Sequence, residues 1–504
     1  MSDSPTPSGA VEAGRSDGER FDVIVIGAGV AGVACASAAA TGGARVAILD
    51  TAAVVGGTAA GAGGGTCIAG SALQARLGIE DSIDAALEDW IAWGGDTVDV
   101  VWAERYLRAS APLLFDDLAE AGVRWVGVDP HEGNRVPRWH RPEGGGKRVM
   151  AVLEARARAL PGIAWRLEHR VLDLVRAGGR ITGVRAVHAG RTIELSAPVV
   201  VVASGGFNND AELVAKHAVQ ASSAERVLLG GGLGALGEGH RMLQDVGAQF
   251  TELDAVWMYP YATPDYRREA SGRGLAIRGV EGEIWVNDDG ARFHDEHSRG
   301  GATGTTALLA QPNGRGWSVF DARIASRMII ADPEYTDGST PIRERVTAFL
   351  RNSPYVRSAS TPVELAARMG VDRTRLQAAI GDMNAAIAIG LDRDPEFHKP
   401  LAGLSGLEAA PFYAVRLYPM ARKNLGGVRT DLEGQVLDAE DNPIPGLFAA
   451  GEVAGMAGGR INGRAALEGT AFGPSLFSGI VAGYAVTDRP ALPPRRLTRN
   501  ADHE

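Results

Sequence analysis

A few arginines, two tyrosines and a lysine are the side chains of this sequence best suited to manage charge at a reacting centre. Arg278 and Arg299 stand 299 − 278 = 21 residues apart in AIRGVEGEIWVNDDGARFHDEHSRGGATG, residues 276–304. A guanidinium is a poor acid in water, with a pKa above about 12. Fixed and desolvated beside a strongly basic carbon, it can donate a proton and stabilise the developing negative charge beforehand. For an isolated arginine the simpler expectation is an ion pair, here with Asp295 or Glu296. Arg460 and Arg464 lie in GGRINGRAALEGTAFGPSLFSG, before an apolar helix expected to begin near Gly469. Their planar two-pronged donors suit a carboxylate. Tyr259 (in WMYPYATP) and Tyr418 each offer the single donor that a ketone oxygen needs, and Lys423 precedes Asn424 in ARKNLGGV.

Such groups need a scaffold, and residues 21–50, FDVIVIGAGVAGVACASAAATGGARVAILD, describe one. A buried-strand pattern runs straight into Gly27, Gly29 and Gly32, then a small-residue helix to about Thr41, then a second strand ending in Asp50. In this spacing Gly27 permits the tight turn, Gly29 lets amides approach a pyrophosphate, and Gly32 lets the helix pack on the sheet. The phosphates sit where unpaired helix N–H groups and the dipole favour negative charge. Asp50, 50 − 27 = 23 residues on, is placed for a ribose of a dinucleotide. Gly56, Gly57 and Thr58 then open a second glycine-rich stretch, as a cofactor lying extended across the domain requires. Two further strands end in small-residue turns: PVVVVASGGFNND at Ala203, Ser204 and Gly205, and PIPGLFAAGEVAG at Gly451 and Glu452. A second GxGxxG, Gly232 to Gly237, lacks a proper strand before it and an acid-tipped strand after it, so it reads as a helix entry.

GAGVAG with Asp50 and GGT, then ASGGF, then GLFAAGEVAG resemble the FAD-binding domain of the fumarate reductase/succinate dehydrogenase flavoprotein superfamily, over about residues 21–484. That group includes soluble fumarate reductases, urocanate reductase and ketosteroid dehydrogenases. The resemblance implies an α/β fold: a discontinuous Rossmann-like FAD-binding domain with an inserted α+β substrate-capping domain. It implies FAD as cofactor, and hydride transfer between flavin N5 and a C–C or C=C bond beside a carboxylate or carbonyl. On the fumarate reductase pattern Arg299 falls on the catalytic acid and Arg278 on its proton relay. Arg464 best matches the arginine that clamps a substrate carboxylate, and the helix beginning near Gly469 is the one facing the flavin. There are departures. The family histidines become Tyr259 and Lys423, and the relay glutamate becomes Leu275. Strict fumarate specificity is therefore not implied, and Tyr259 is similar to the urocanate reductase pattern. No histidine stands in GGTAAGAGG where membrane succinate dehydrogenases attach flavin, so FAD is expected to be noncovalent. The alternatives are a ketosteroid-type dehydrogenase acting on an enone through Tyr259 or Tyr418, and an FAD-binding protein without turnover. Between a carboxylate and a ketone substrate, the arginines favour the carboxylate.

Length and composition agree. A chain of 504 residues, 45% hydrophobic, can bury a large core and divide into domains. Its net charge of −10 argues against nucleic acid. Cys35 and Cys67 make no disulfide framework, CxxC or haem motif, and no metal site is expected. No apolar run reaches about 18 residues, so no membrane span is expected and the cytoplasm is the default location. The expected division is a disordered tail over 1–20, FAD-binding segments over 21–261 and 406–486, a capping domain over 262–405, and a C-terminal tail over 487–504. A β-meander is expected over residues 171–195, and helices in TPVELAARMG and RTRLQAAIGDMNAAIAIG. Trp139 and Trp257 read as packing residues. WHRPEGGGKR, with His140 and Lys147, reads as a solvated loop. A small-molecule acid or ketone and an unidentified electron donor or acceptor are the expected partners.

Overall fold

The computed structural model describes residues 19–337 and 340–487. Its first unit follows the expected order closely: β1 (Val23–Ile26), α1 (Val30–Thr41) and β2 (Val46–Leu49). Then come β3 (Ile163–Arg166), an antiparallel meander of strands Arg170–Ala177, Arg180–His188 and Arg191–Ser196, and β4 (Val199–Val202). Next are α2 (Glu238–Asp245) and the long β5 (Val256–Pro264). The capping segment contributes β6 (Gly274–Arg278) and α3 (Thr303–Leu309), with helices Pro362–Met369 and Arg373–Ala388 near its end. The chain returns through β7 (Phe412–Asn424), β8 (Pro443–Ala449) and α4 (Phe472–Ala485).

One sheet has the order β8-β4-β1-β2-β3, all parallel, with the short antiparallel strand Gln435–Leu437 beyond β8. Its central strands are buried on both faces, which explains their unbroken Val/Ile/Leu runs. Alternate residues serve different layers. Val23, Val25, Val46, Ile48 and Val201 pack with α1 and α4, whereas Ile24, Ile26, Ala47, Leu49, Val200 and Val202 pack with the meander.

The second large sheet is built around β5 and β7, which pair antiparallel along their length. Strands Ile284–Val286 and Gly316–Phe320 extend it beyond β7, and β6 and Ile329–Ile330 extend it beyond β5. The pairing slips between Tyr259 and Ala262, at Pro260 and opposite Pro419. Proline has no N–H to give to a ladder, so a register break is the natural place for both. The capping segment has its own apolar core, including Leu275, Val319, Phe349, Leu376 and Met383. The expected boundary at 261/262 therefore divides a continuous strand, β5.

The expected tails lie almost wholly outside the described residues. Glu19 and Arg20 are an exception, since they pair as a strand with Leu195 and Ser196 at the meander edge. WHRPEGGGKR is not a solvated loop. Trp139–Pro142 is a strand between Thr66–Cys67 and Trp125–Asp129, and Gly145–Arg158 is a helix. His140 is fully buried there, bonded to Ser71 Oγ at 2.6 Å and to the Arg138 carbonyl at 2.9 Å, whereas Lys147 is exposed. Among the described residues no helix is long and apolar enough to cross a membrane, and no His/Cys/Asp/Glu cluster could hold a metal ion.

Candidate functional site

The glycine turns converge at the C-terminal edge of the parallel sheet, where open α/β sheets bind ligands. Gly27 has φ +108°, and a Cβ there would come within 2.4 Å of the Ala203 carbonyl oxygen. A Cβ on Gly32 would strike the Gly27 carbonyl oxygen at 1.8 Å, so only glycine lets α1 settle on β1. Gly29 differs: it caps α1, and the space beside it holds no protein atom within 4 Å. No side chain caps the first turn of α1, leaving its amides for an anion. Gly57, with φ +50°, lies directly against Gly29, and Thr58 lies against Gly232. Gly231 and Gly232 therefore serve close packing on the cradle, and Gly237, at φ +69°, caps α2 as a helix entry.

Asp50 ties this region together. Its carboxylate accepts from the Ala28 amide at 2.7 Å and the Ala52 amide at 2.8 Å, each oxygen keeping a free lone pair. Beyond β4, the Ser204 hydroxyl is buried without a partner and Gly205 is open at φ +78°. Glu452 accepts from the Asn424 amide (3.0 Å) and Asn208 Nδ2 (3.2 Å), so it joins the β4, β7 and β8 ends. Gly451 (φ +77°) donates to Ser478 Oγ, and Gly469 (φ +91°) presses on the Cys67 amide. α4 starts at Phe472, three residues after Gly469, and carries no side-chain cap. An open, uncapped helix start, an orphaned hydroxyl and an acid at the tip of β2 fit a dinucleotide laid along this edge. Gly27, Gly29, Gly32, Gly56, Gly57 and Thr58 would hold its phosphates, with Asp50 at a ribose. Ala203, Ser204, Gly205, Gly451, Glu452 and Gly469 would line the rest.

The candidate reactive side chains gather around β5. Trp257, Tyr259 and Tyr261 occupy alternate positions of this strand, and the Tyr259 and Tyr261 rings stack at 5.0 Å. Three cations surround that stack. Arg278 lies 5.8 and 5.9 Å from the two tyrosine rings, Arg299 lies 4.5 Å from Tyr261, and Lys423 Nζ lies 4.4 Å from Trp257 and 5.8 Å from Tyr259. Neither arginine pairs with Asp295 or Glu296. Glu296 is held by Arg292 and Lys399, while Arg299 bonds Glu283 Oε1 at 3.0 Å and the Ile277 carbonyl at 2.7 Å. The loop carrying Arg299 is clamped from the other unit: Glu132 accepts from the Gly300 amide at 2.6 Å and from the Thr303 hydroxyl.

Burial pushes both phenols above the ordinary tyrosine range, so they remain protonated donors; Glu468 adds to this and Arg278 opposes it. Burial lowers Lys423, against the pull of Glu468 and Glu452. Burial also raises Glu283, against Arg299.

Arg464 is elsewhere. Half exposed, it forms a two-pronged pair with Asp254 at 2.8 and 3.3 Å, and Arg460 is exposed as well. The chain bends so that Glu468, four residues on, is the charged group of this segment acting on Tyr259, Tyr261, Arg278 and Lys423. Tyr418 belongs to a different cluster, with Tyr355 and Arg226. Sequence reasoning missed Tyr261, Glu468 and Glu132. The period-two aromatics of WMYPY signal the first, while nothing local signals the other two.

Comparison with known proteins agrees with this geometry. The FAD binding domain model matches residues 22–471. A KsdD-like steroid dehydrogenase of Mycobacterium tuberculosis is 30% identical, aligned over 95% of this chain and 98% of the relative. Urocanate reductase of Eggerthella lenta is also 30% identical, over 86% and 70%. Among solved structures, the open conformation of a flavocytochrome c3 fumarate reductase superposes with a TM-score of 0.73 at 27% identity, covering 93% of this chain and 78% of that one. The 3-ketosteroid-Δ4-(5α)-dehydrogenase of Rhodococcus jostii RHA1 gives 0.71 at 26% identity, covering 94% and 97%. The chain belongs to the FAD-binding-domain family.

Proposed function

We propose that this protein is an FAD-dependent oxidoreductase acting on a carbon–carbon bond activated by an adjacent carbonyl. FAD supplies the hydride donor or acceptor at N5. It would be bound noncovalently by the residues at the sheet edge. The observation that carries the reading is the convergence of Arg278, Arg299 and Lys423 on the buried Tyr259–Tyr261 stack. A protonated phenol at Tyr259 can donate to the carbonyl oxygen and spread the charge that builds there. Arg299 would exchange the proton at the carbon next to the one receiving or losing hydride, with Arg278 as its relay. Both relatives and solved neighbours support the reaction type, since their names span ketosteroid dehydrogenases and fumarate and urocanate reductases.

The activating group differs from the sequence-based preference for a carboxylate. That preference rested on Arg464 as a clamp, and Arg464 is paired with Asp254 at the surface. The charged group of the same segment that acts on the stack is Glu468, which helps to keep the Tyr259 phenol protonated as a donor to a carbonyl. The reaction direction follows from the electron partner, a small-molecule or protein donor or acceptor, in a cytoplasmic setting. Tyr259→Phe should lower kcat on an enone substrate by roughly 10²–10⁴-fold, the span of a lost acid–base or charge-stabilising group. Arg464→Met should leave kcat and KM within a few-fold. The opposite order, with KM rising steeply in Arg464→Met, would restore the carboxylate clamp.

A further inference from the structure

Beside the tyrosine stack, three guanidinium groups, two flanking β6 and one on β7, meet around one small cavity of about 40 Å³. Arg273 stands just before β6, Arg278 ends it, and Arg422 projects from β7; Tyr259, Ala276 and Asp332 complete the wall. The positive charge there is poorly balanced. Asp332 is the pocket's acid, and its carboxylate is shared between the Arg273 guanidinium and the Glu334 amide. Arg422 gives one N–H to the Gly230 carbonyl, and Arg273 Nε is buried with no partner. Each guanidinium carries five N–H donors in a fixed fork. This partly buried cluster sets three arginines against Asp332 in the pocket, with Glu468 acting on Arg278 from outside it, so an added anion would complete the charge balance.

We propose that this pocket binds an anionic substituent of the substrate, a carboxylate, distinct from the carbonyl that activates the reacting bond. The planar fork of Arg422 and the unused Nε edge of Arg273 suit bidentate recognition, and Tyr259 and Arg278 border both this pocket and the reaction centre. The substrate would then be a keto acid whose charged arm anchors it while its enone or ketone end meets Tyr259. This inference rests on the reading of the Tyr259–Tyr261 stack as the reaction centre.

Equilibrium titration of the oxidised holoenzyme, followed by the flavin absorption band, separates the two. The probes are a cyclohexenone bearing an unconjugated propanoate arm, the same ring bearing the neutral propanamide, and inorganic phosphate. The propanoate should bind roughly tenfold or more tighter than the propanamide. Arg422→Met and Arg273→Met should erase that preference while leaving the propanamide within about twofold, as expected when one partner of a desolvated charge pair is removed. Arg422→Lys should restore part of it, and normal FAD content certifies each variant as folded. Equal binding of propanoate and propanamide, or no binding by either, overturns the anion pocket. So does phosphate binding that displaces neither probe, since the charge would then serve a free ion. Acid-selective binding without turnover would reject the proposed reaction and leave the pocket standing.

Discussion

Arg299 is fixed on three sides, by the Glu283 carboxylate, the Ile277 carbonyl and the Tyr261 ring, as the proton donor proposed here needs to be. Lysine keeps the charge but loses the fork, so Arg299→Lys should lower kcat by roughly 10²–10⁴-fold. FAD content should stay normal, because Arg299 lies outside the parallel sheet and its glycine turns; survival of turnover within a few-fold would reduce it to an ion-pair residue. At this scale the sequence was informative where a residue type and its spacing were both unusual. The resemblance to the fumarate reductase segment, with its matching 21-residue separation, picked out Arg278 and Arg299, two side chains that the fold brings to the same tyrosine. Arg464 shows the opposite case. Whether a side chain before a helix faces a cavity or a surface acid depends on one residue of phase in an irregular turn, and here Arg464 pairs with Asp254, 464 − 254 = 210 residues away. Glu468 and Glu132 were illegible for the same reason, since their partners come from other parts of the chain.

The β1–α1–β2 element was the most legible part of the molecule, because buried parallel strands are continuously apolar and its glycines have separate mechanical duties. Gly29 adjoins open space, so Gly29→Asp has room to fold. Its carboxylate would nevertheless occupy and repel the pyrophosphate position. Circular dichroism should stay unchanged while FAD content falls to near zero, and stoichiometric FAD in that variant would contradict the phosphate turn. Helix α2 permits a test of a different kind. His240 lies between Phe207 and Phe250 with both ring nitrogens unpartnered, and burial depresses its pKa to about 3, aided by His217 and Arg241. The unfolded chain takes up that proton near pH ~6.5 and the folded one does not. Stability is therefore fully present above pH ~6.5 and is lost as pH falls, by about 2 kcal/mol at pH ~5. His240→Leu should remove that part of the loss, so its melting temperature should fall less than the parent's between pH ~7 and pH ~5. An identical fall in both would show that His240 charges inside the fold.

At the scale of the whole molecule, β5 and β7 connect the two units and also carry side chains of the proposed site: Tyr259 and Tyr261 on one, Arg422 and Lys423 on the other. Glu132 reaches across to the loop bearing Arg299, so contact between the two units and the position of that loop are coupled. The fold class was readable from the sequence because cofactor turns punctuate it at four strand ends. The unit boundary was less so, because a strand shared between two units shows no break in composition. The account's central claim is that this site moves hydride between FAD and a carbonyl-activated carbon–carbon bond. Anaerobic photoreduction of the holoenzyme, followed by rapid mixing with enones, fumarate or urocanate, tests it directly. Rapid reoxidation by an enone, with little or none by the two unsaturated acids lacking a ketone, is the expected result. Reoxidation by fumarate or urocanate with none by any enone would contradict the claim.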